Sequence, residues 1–224
     1  MAKKPEILDL NDQIRSILTF RIRGISPLVQ NRFYNKDGIR NAHAGDRTKN
    51  RAPRDPAAEC ANAAHKLKNG GYGFPADGLK GSVIEAAHVD IGLPKTLLKK
   101  SFFILADDPV ENLCALDFEG EPTMREDRVV IGKGSTDLRY RPQFDEWGII
   151  VRCEFDADAV PPKTLLKLVN RAGFGVGLGE MRPQRGKSYG RYEVDPAYPI
   201  NIVRLEPTDF LDPTEIKEVT DVAA

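Results

Sequence analysis

The stretch RAGFGVGLGEMRPQRGKSYGRYEV, residues 171–194, decides how the rest of the chain is read. Gly173, Gly175, Gly177 and Gly179 alternate with other residues, and Arg182, Arg185 and Lys187 then lead into Ser188-Tyr189-Gly190-Arg191-Tyr192. Glycine admits positive φ and lets another backbone or a ligand come close. Four glycines at this spacing cannot all cap helices. From Arg171 to Arg191 five Lys/Arg stand against a single acid, Glu180. A flexible, donor-rich, cationic loop before a Tyr-containing strand suits a sugar–phosphate backbone. The competing expectation is a mobile connection with solvated arginines.

Working outward, residues 161–172 place Leu165, Leu168, Val169 and Ala172 at helical spacing and stop at Gly173. Residues 147–155, 128–131 and 101–106 read as strands, separated by turn signals at Asp107-Asp108-Pro109 and Glu119-Gly120-Glu121-Pro122. The segment GKGSTDLRYRP at 132–142 adds a second basic and aromatic cluster in Lys133, Arg139, Tyr140 and Arg141. FPADGLKGSVIEAAHVDIG, at 74–92, starts a helix near Pro75, with Leu79, Val83, Ile84 and Ala87 on one face. Gly81 inside that helix costs about 1 kcal/mol relative to alanine, so a closely packed neighbour is expected there. Lys80 sits where a cation opposes the helix dipole, which leaves it either a nearby anionic group or solvent. A first strand spans residues 15–23, and between it and the helix lies a long polar segment whose one helical stretch is residues 55–67.

The resulting order is β, insertion, α, β, β-rich middle, β, α, glycine loop, β. This is the α+β skeleton of a ferredoxin-like (RRM-like) β-α-β-β-α-β core with a large insertion after the first strand. A single domain over residues 1–224 is expected. Its core is residues 15–29 and 75–194, with a basic insertion at 30–74 and an acidic C-terminal extension at 195–224.

The chain has 224 residues, with 33 basic and 33 acidic side chains, so its net charge does not mark a general polyanion binder. The charge is nevertheless segregated. Residues 32–54 hold seven Lys/Arg against two Asp, while residues 193–224 hold eight acids against two bases. Cys60, Cys114 and Cys153 lie far apart with no CxxC, which suggests neither a disulfide framework nor a cysteine zinc site. The N-terminal MAKKPEILDL lacks the apolar core of a signal peptide, and no apolar run reaches membrane-span length. A soluble protein of a reducing cytoplasm, with no membrane partner, is expected. The glycines follow a helix and precede a strand, the reverse of a dinucleotide site, and GxxxxGK[ST] is absent. His43, His65 and His88 lack zinc-ligand spacing, so no metal site and no cofactor are expected. Only a nuclease reading would bring in Mg²⁺, held by aspartates of the basic insertion such as Asp37, Asp46 and Asp55.

Two motifs carry a family resemblance. Phe74-Pro75-Ala76-Asp77-Gly78-Leu79-Lys80-Gly81-Ser82-Val83 resembles the PG-x-SLKG-A-x-R helix start of the RAMP superfamily. Gly177-Leu178-Gly179 through Gly186-Lys187-Ser188-Tyr189-Gly190-Arg191-Tyr192-Glu193 resembles that superfamily's C-terminal GG-x-R-x-RGFGRV loop. These are ferredoxin-like RNA-binding subunits of CRISPR effector complexes, and the likeness is to the repeating backbone subunit. The chain departs from the pattern where Asp77-Gly78 precedes LKG, where Glu85 and Ala86 stand in place of the helix arginine, and at Met181-Arg182-Pro183-Gln184. Such departures fit a stand-alone or phage-encoded relative, placed in a bacterial cytoplasm or that of a phage's host.

The resemblance implies that the insertion and the glycine loop flank a bound strand. Arg32, Arg40, Lys80, Gly177, Gly179, Arg182, Arg185, Lys187, Tyr189 and Arg191 would then lie along its path. Family members that cut RNA use an aspartate of the early insertion, for which Asp37 and Asp46 are the nearest candidates. The leading expectation is a non-enzymatic protein that binds RNA or single-stranded DNA and assembles along it as a homo-oligomer or filament. The alternatives are a metal-dependent endoribonuclease of the same fold and a structural or interaction protein without nucleic acid.

Overall fold

A computed structural model of the chain describes residues 15–33, 54–90, 93–131 and 135–205. Its first element, β1 (Arg15–Gly24), alternates strictly: Leu18, Phe20 and Ile22 are buried, while Arg15, Ile17, Thr19 and Arg21 are half-exposed. Period-two patterning commits one face of a strand to a core and leaves the other open. The strand β8 (Gly148–Asp156) repeats the pattern, burying Ile149, Val151, Cys153 and Phe155. It pairs antiparallel with β1 along its whole length, from Arg15 opposite Asp156 to Arg23 opposite Gly148. On the far side of β8 lies β4 (Phe102–Leu105), also antiparallel. On the far side of β1 two short strands follow one another. β9 (Tyr192–Val194) pairs with the Ile22–Gly24 end, and β10 (Asn201–Arg204) pairs with Ser16–Thr19.

Two helices supply the second layer. α2 (Ala76–Asp90) buries Ala76, Leu79, Val83, Ala86 and Ala87, and α4 (Pro162–Gly175) buries Leu165, Leu168, Val169 and Ala172. Phe20, Val151 and Cys153 from the sheet meet Leu79, Val83, Leu165 and Val169 around one small apolar cavity between the layers. A three-strand sheet stands beside this body. In it β2 (Leu28–Val29) and β6 (Thr123–Ile131) flank β7 (Ser135–Phe144), all antiparallel. The turn segments upstream hold a two-stranded ladder of β3 (Gly73–Pro75) with β5 (Leu113–Ala115).

The arrangement corrects several expectations. A short helix, α3 (Lys95–Ser101), precedes β4, so Ser101 closes a helix and the strand starts at Phe102. Residues 135–142 of the basic and aromatic segment supply most of β7, which pairs antiparallel with β6 in a long hairpin. Gly81 has no close neighbour. A Cβ there would meet nothing within 4 Å, so the helix tolerates the glycine on an exposed face. The residues after Pro199 add β10 to the sheet edge, while residues 206–224 lie outside the described residues.

Within residues 30–74, α1 (Pro56–Ala63) begins at the Asp55 cap, whose carboxylate accepts from the Ala58 N–H at 3.1 Å. Buried Gln30 fastens this segment to the body. Its Nε2 donates to the Gly73 carbonyl and its Oε1 accepts from the His65 N–H, both at 2.8 Å. Burial, reinforced by the charge of Arg32, pushes the His65 imidazole down to about 4. A native pKa below the unfolded value of about 6.5 means that the unfolded chain takes up its proton first. This stabilising contribution is complete above pH 6.5 and is lost progressively as pH falls towards 4. His65→Gln should therefore lose less thermal stability than the wild type between pH 6.5 and 4.5, measured by melting across buffers. Parallel slopes would mean that His65 is not held neutral.

The deepest junction is at Tyr192, 1% exposed on β9. Its hydroxyl meets Ser82 Oγ of α2 at 3.0 Å, and its ring lies edge-on to Trp147 with centroids 6.4 Å apart. A Cβ on Gly173 of α4 would fall 1.9 Å from the Tyr192 carbonyl oxygen, so only glycine lets helix and strand approach this closely. Gly173→Ala should destabilise the protein by about 2 kcal/mol or more, as overpacking of a rigid contact does. Tyr192→Phe, which strands one hydroxyl, should cost about 1 kcal/mol. Chemical denaturation would check the ranking, and a neutral Gly173→Ala would refute the contact.

Candidate nucleic-acid interface

The segment between α4 and β9 is a folded structure and not a mobile, donor-rich loop. Its backbone N–H groups are largely turned inward. Leu178 donates to Gly190, Glu180 to Val29, Gln184 to Val176 and Tyr189 to Met181. Gly190 donates to Pro27 at 2.7 Å, so the loop is laced to the chain around β2. Leu178 is 1% exposed and acts as the loop's own anchor in the core. Gly177 and Gly179 both take positive φ, at 72° and 70°. Gly190 does so as well, at 64°, and a Cβ there would lie 1.9 Å from the Leu178 carbonyl oxygen. The glycines serve a tight self-crossing of the backbone rather than an anion cradle.

The loop's cations divide into two groups. Arg182 faces inward, its Nη1 donating to the Gly179 carbonyl at 2.9 Å and its Nε to Gln184 Oε1 at 3.1 Å. Arg185 and Lys187 are exposed, and the contact of Arg185 with Glu180 is long, at 3.5 Å. Tyr189 is half-buried and is held by Arg125 of β6. The Arg125 Nη1 donates to its hydroxyl at 2.7 Å, and the guanidinium carbon lies 4.7 Å from its ring centre. Arg125 also donates to Asp127 and to Gln143, and Asp127 receives Arg141 from β7. Arg141 is buried, and its Nε has no partner among the described residues. Arg125, which nothing in the sequence singled out, therefore joins the glycine loop to the β6–β7 hairpin.

The remaining expected site residues are dispersed. Arg32 is exposed just beyond β2, with its N–H bonded to the Ala63 carbonyl. Lys80 belongs to a different place. Its Nζ donates to the Lys99 carbonyl at the end of α3 at 2.9 Å and sits 4.0 Å from the Phe103 ring centre. Burial pushes its ammonium below the usual lysine value. The last carbonyls of α3 are the partially negative group that a lysine early in α2 needed. Arg191 lies 5.4 Å from the ring centre of Phe174, at the point where α4 enters the loop. Arg40, Asp37 and Asp46 lie outside the described residues. Among the described residues no three His, Cys, Asp or Glu side chains are gathered as a metal centre would require. Burial pushes the Cys114 and Cys153 thiols up to about 12, which leaves neither a nucleophile.

The open face of the large sheet carries four arginines, each neutralised in place. Arg15 pairs with Glu154, Arg23 with Glu193 at 2.7 Å, and Arg152 with Asp107 at 3.0 Å. Arg21 is shared by Asp117 at 2.6 Å and Asp195 at 2.5 Å. The ends of the segregated charge regions are likewise engaged within the molecule, with Arg54 on Glu59 and Asp137, Glu193 on Arg23 and Asp195 on Arg21. No helix among the described residues is long and apolar enough to cross a membrane. Compared with protein-family models and with curated proteins, the chain matches none.

The Arg125–Tyr189 bridge yields a direct test. In a double-mutant cycle of Arg125→Met and Tyr189→Phe, the coupling in unfolding free energy should be about 1 kcal/mol. Additive losses would show that the hairpin does not hold the loop.

Proposed function

We propose that this protein binds single-stranded nucleic acid, RNA or single-stranded DNA, without cleaving it, and that copies assemble along the strand. The observation that carries the reading is the glycine loop. It is rigid, docked between the two sheets, and it presents Arg185 and Lys187 outward beside Tyr189. A turn whose backbone is already hydrogen-bonded brings these cations to a phosphate without the cost of ordering the loop, and an adjacent ring adds a surface for a base. The strand order β9/β10, β1, β8, β4, with α2 and α4 on one face, supports a ferredoxin-like core, and both resembling motifs fall on that core. The arrangement fits a RAMP-type backbone subunit, or a stand-alone relative, in which the glycine loop faces the strand.

Assembly follows from the charge. A neutral protein is not steered to a polyanion at long range, so avidity from neighbouring copies is the better route to occupancy. Most of the segregated charge lies in residues outside the described ones, and a head-to-tail contact between the basic insertion and the acidic extension would propagate as an open filament.

The loop's two kinds of arginine should separate in experiment. Arg185→Ala with Lys187→Ala should leave stability unchanged and flatten the slope of log affinity against log salt by about 1.4 for a single strand, as two phosphate contacts require. Arg182→Ala should instead lower thermal stability, because its guanidinium closes the loop. Filter binding of labelled homopolymer RNA and DNA across a salt series measures the slopes. An unaltered slope in the double variant would remove the loop from the binding surface.

A further inference from the structure

The amphipathic pattern of α4 leaves an outer face that no structural role explains. Lys163, Lys167 and Arg171 stand four residues apart, each exposed, and the helix contains no acidic residue. At 1.5 Å per residue their attachment points are about 6 Å apart along one ridge. None of the three has an ion-pair partner among the described residues, in contrast to the four arginines of the open sheet face. Lys163 in the first turn opposes the helix dipole, so helix stability does not explain its placement.

The ridge ends at Phe174, which is 66% exposed on the last turn of α4. Arg191 approaches its ring, so a planar cation and an open aromatic surface stand where the ridge meets the glycine loop. Backbone-tracking cations that lead to an open ring are the two ingredients of single-strand binding, one for phosphates and one for a stacked base.

Resting on the binding function proposed above, we infer that the outer ridge of α4 is the track of the bound strand. Phosphates lie along Lys163, Lys167 and Arg171, and one unpaired base stacks on Phe174 beside Arg191. The charge-neutralised open face of the sheet does not carry the strand. The occupant is a single strand because a duplex hides its base faces, and a phosphate-only ligand would leave Phe174 unused.

The test uses the full-length protein and labelled 20-nucleotide oligo-U and oligo-dT. Lys163→Gln, Lys167→Gln and Arg171→Gln combined should not lower the melting temperature and should flatten the salt slope by about 2, three contacts at about 0.7 each. Phe174→Ala should weaken binding roughly five- to hundredfold at an unaltered slope, and Phe174→Tyr should restore it. In Phe174→Trp, indole emission should be quenched on binding, since the native Trp147 is buried.

If the Arg185/Lys187 variant weakens binding while the ridge variants bind as wild type, the binding function stands and the ridge is wrong. If wild type binds neither oligonucleotide, both fall. Binding of phosphatidylserine vesicles that the triple variant loses, without oligonucleotide binding, would assign the ridge to a membrane surface and overturn the inference. A Phe174→Ala variant of unchanged affinity would overturn the stacked base.

Discussion

The structure depends on the burial of Tyr192. Its phenol is sealed between Ser82 of α2 and Trp147, and its carbonyl lies against the bare backbone of Gly173. Complete burial pushes the hydroxyl far above the usual tyrosine range, so it remains a neutral hydrogen-bonding group at any physiological pH. Because Tyr192 is fixed, β9 pairs with the end of β1, and the glycine loop must close over the short distance from Val176 to Gly190. The crossing of Leu178 and Gly190 is the geometric result. The loop's rigidity is therefore inherited from the core.

Rigidity changes what the loop's charges can do. A mobile loop would lose conformational freedom on contacting a polyanion, whereas this one already holds its backbone bonds. Arg182 is consumed in closing the loop, and Arg125 reaches across from the hairpin to hold Tyr189. What remains outward is a small set of cations on a fixed frame. The ion pairs of the open sheet face are the opposite design. There Arg15, Arg21, Arg23 and Arg152 each meet a carboxylate. The exposed pairs among them add little stability, but all of them cancel the local field, so the sheet offers a polyanion no net attraction. Electrostatic asymmetry between the two sides of a neutral molecule is thus decided by which arginines have acids beside them in space.

Much of the core was legible in the sequence. The alternation through Leu18, Phe20 and Ile22, the helical spacing of Leu79 and Val83, and that of Leu165, Leu168 and Val169 all fall on the elements observed. Such signals survive because burial on one face imposes a period that local sequence must obey. The hairpin was only half legible. Residues 128–131 read as strand, but β7 is rich in Arg, Tyr and polar residues, and it is a strand because β6 and β2 pair with it. Short elements such as α3 and β3 lack the length to show a period at all.

By itself, the sequence determined much of what lies inside, where α1, α2 and α4 begin, and that a glycine-rich cationic segment follows α4. Only the tertiary structure decided what that segment is. Gly190 and Gly179 are required by backbone crossings with Leu178 and Val29, contacts for which no local pattern codes. The same holds for the charges. Arg182 and Arg185 are indistinguishable as sequence, yet one bonds the Gly179 carbonyl and the other faces solvent. A side chain's type fixes its charge, but its partners, and hence whether that charge is available, are fixed by the fold.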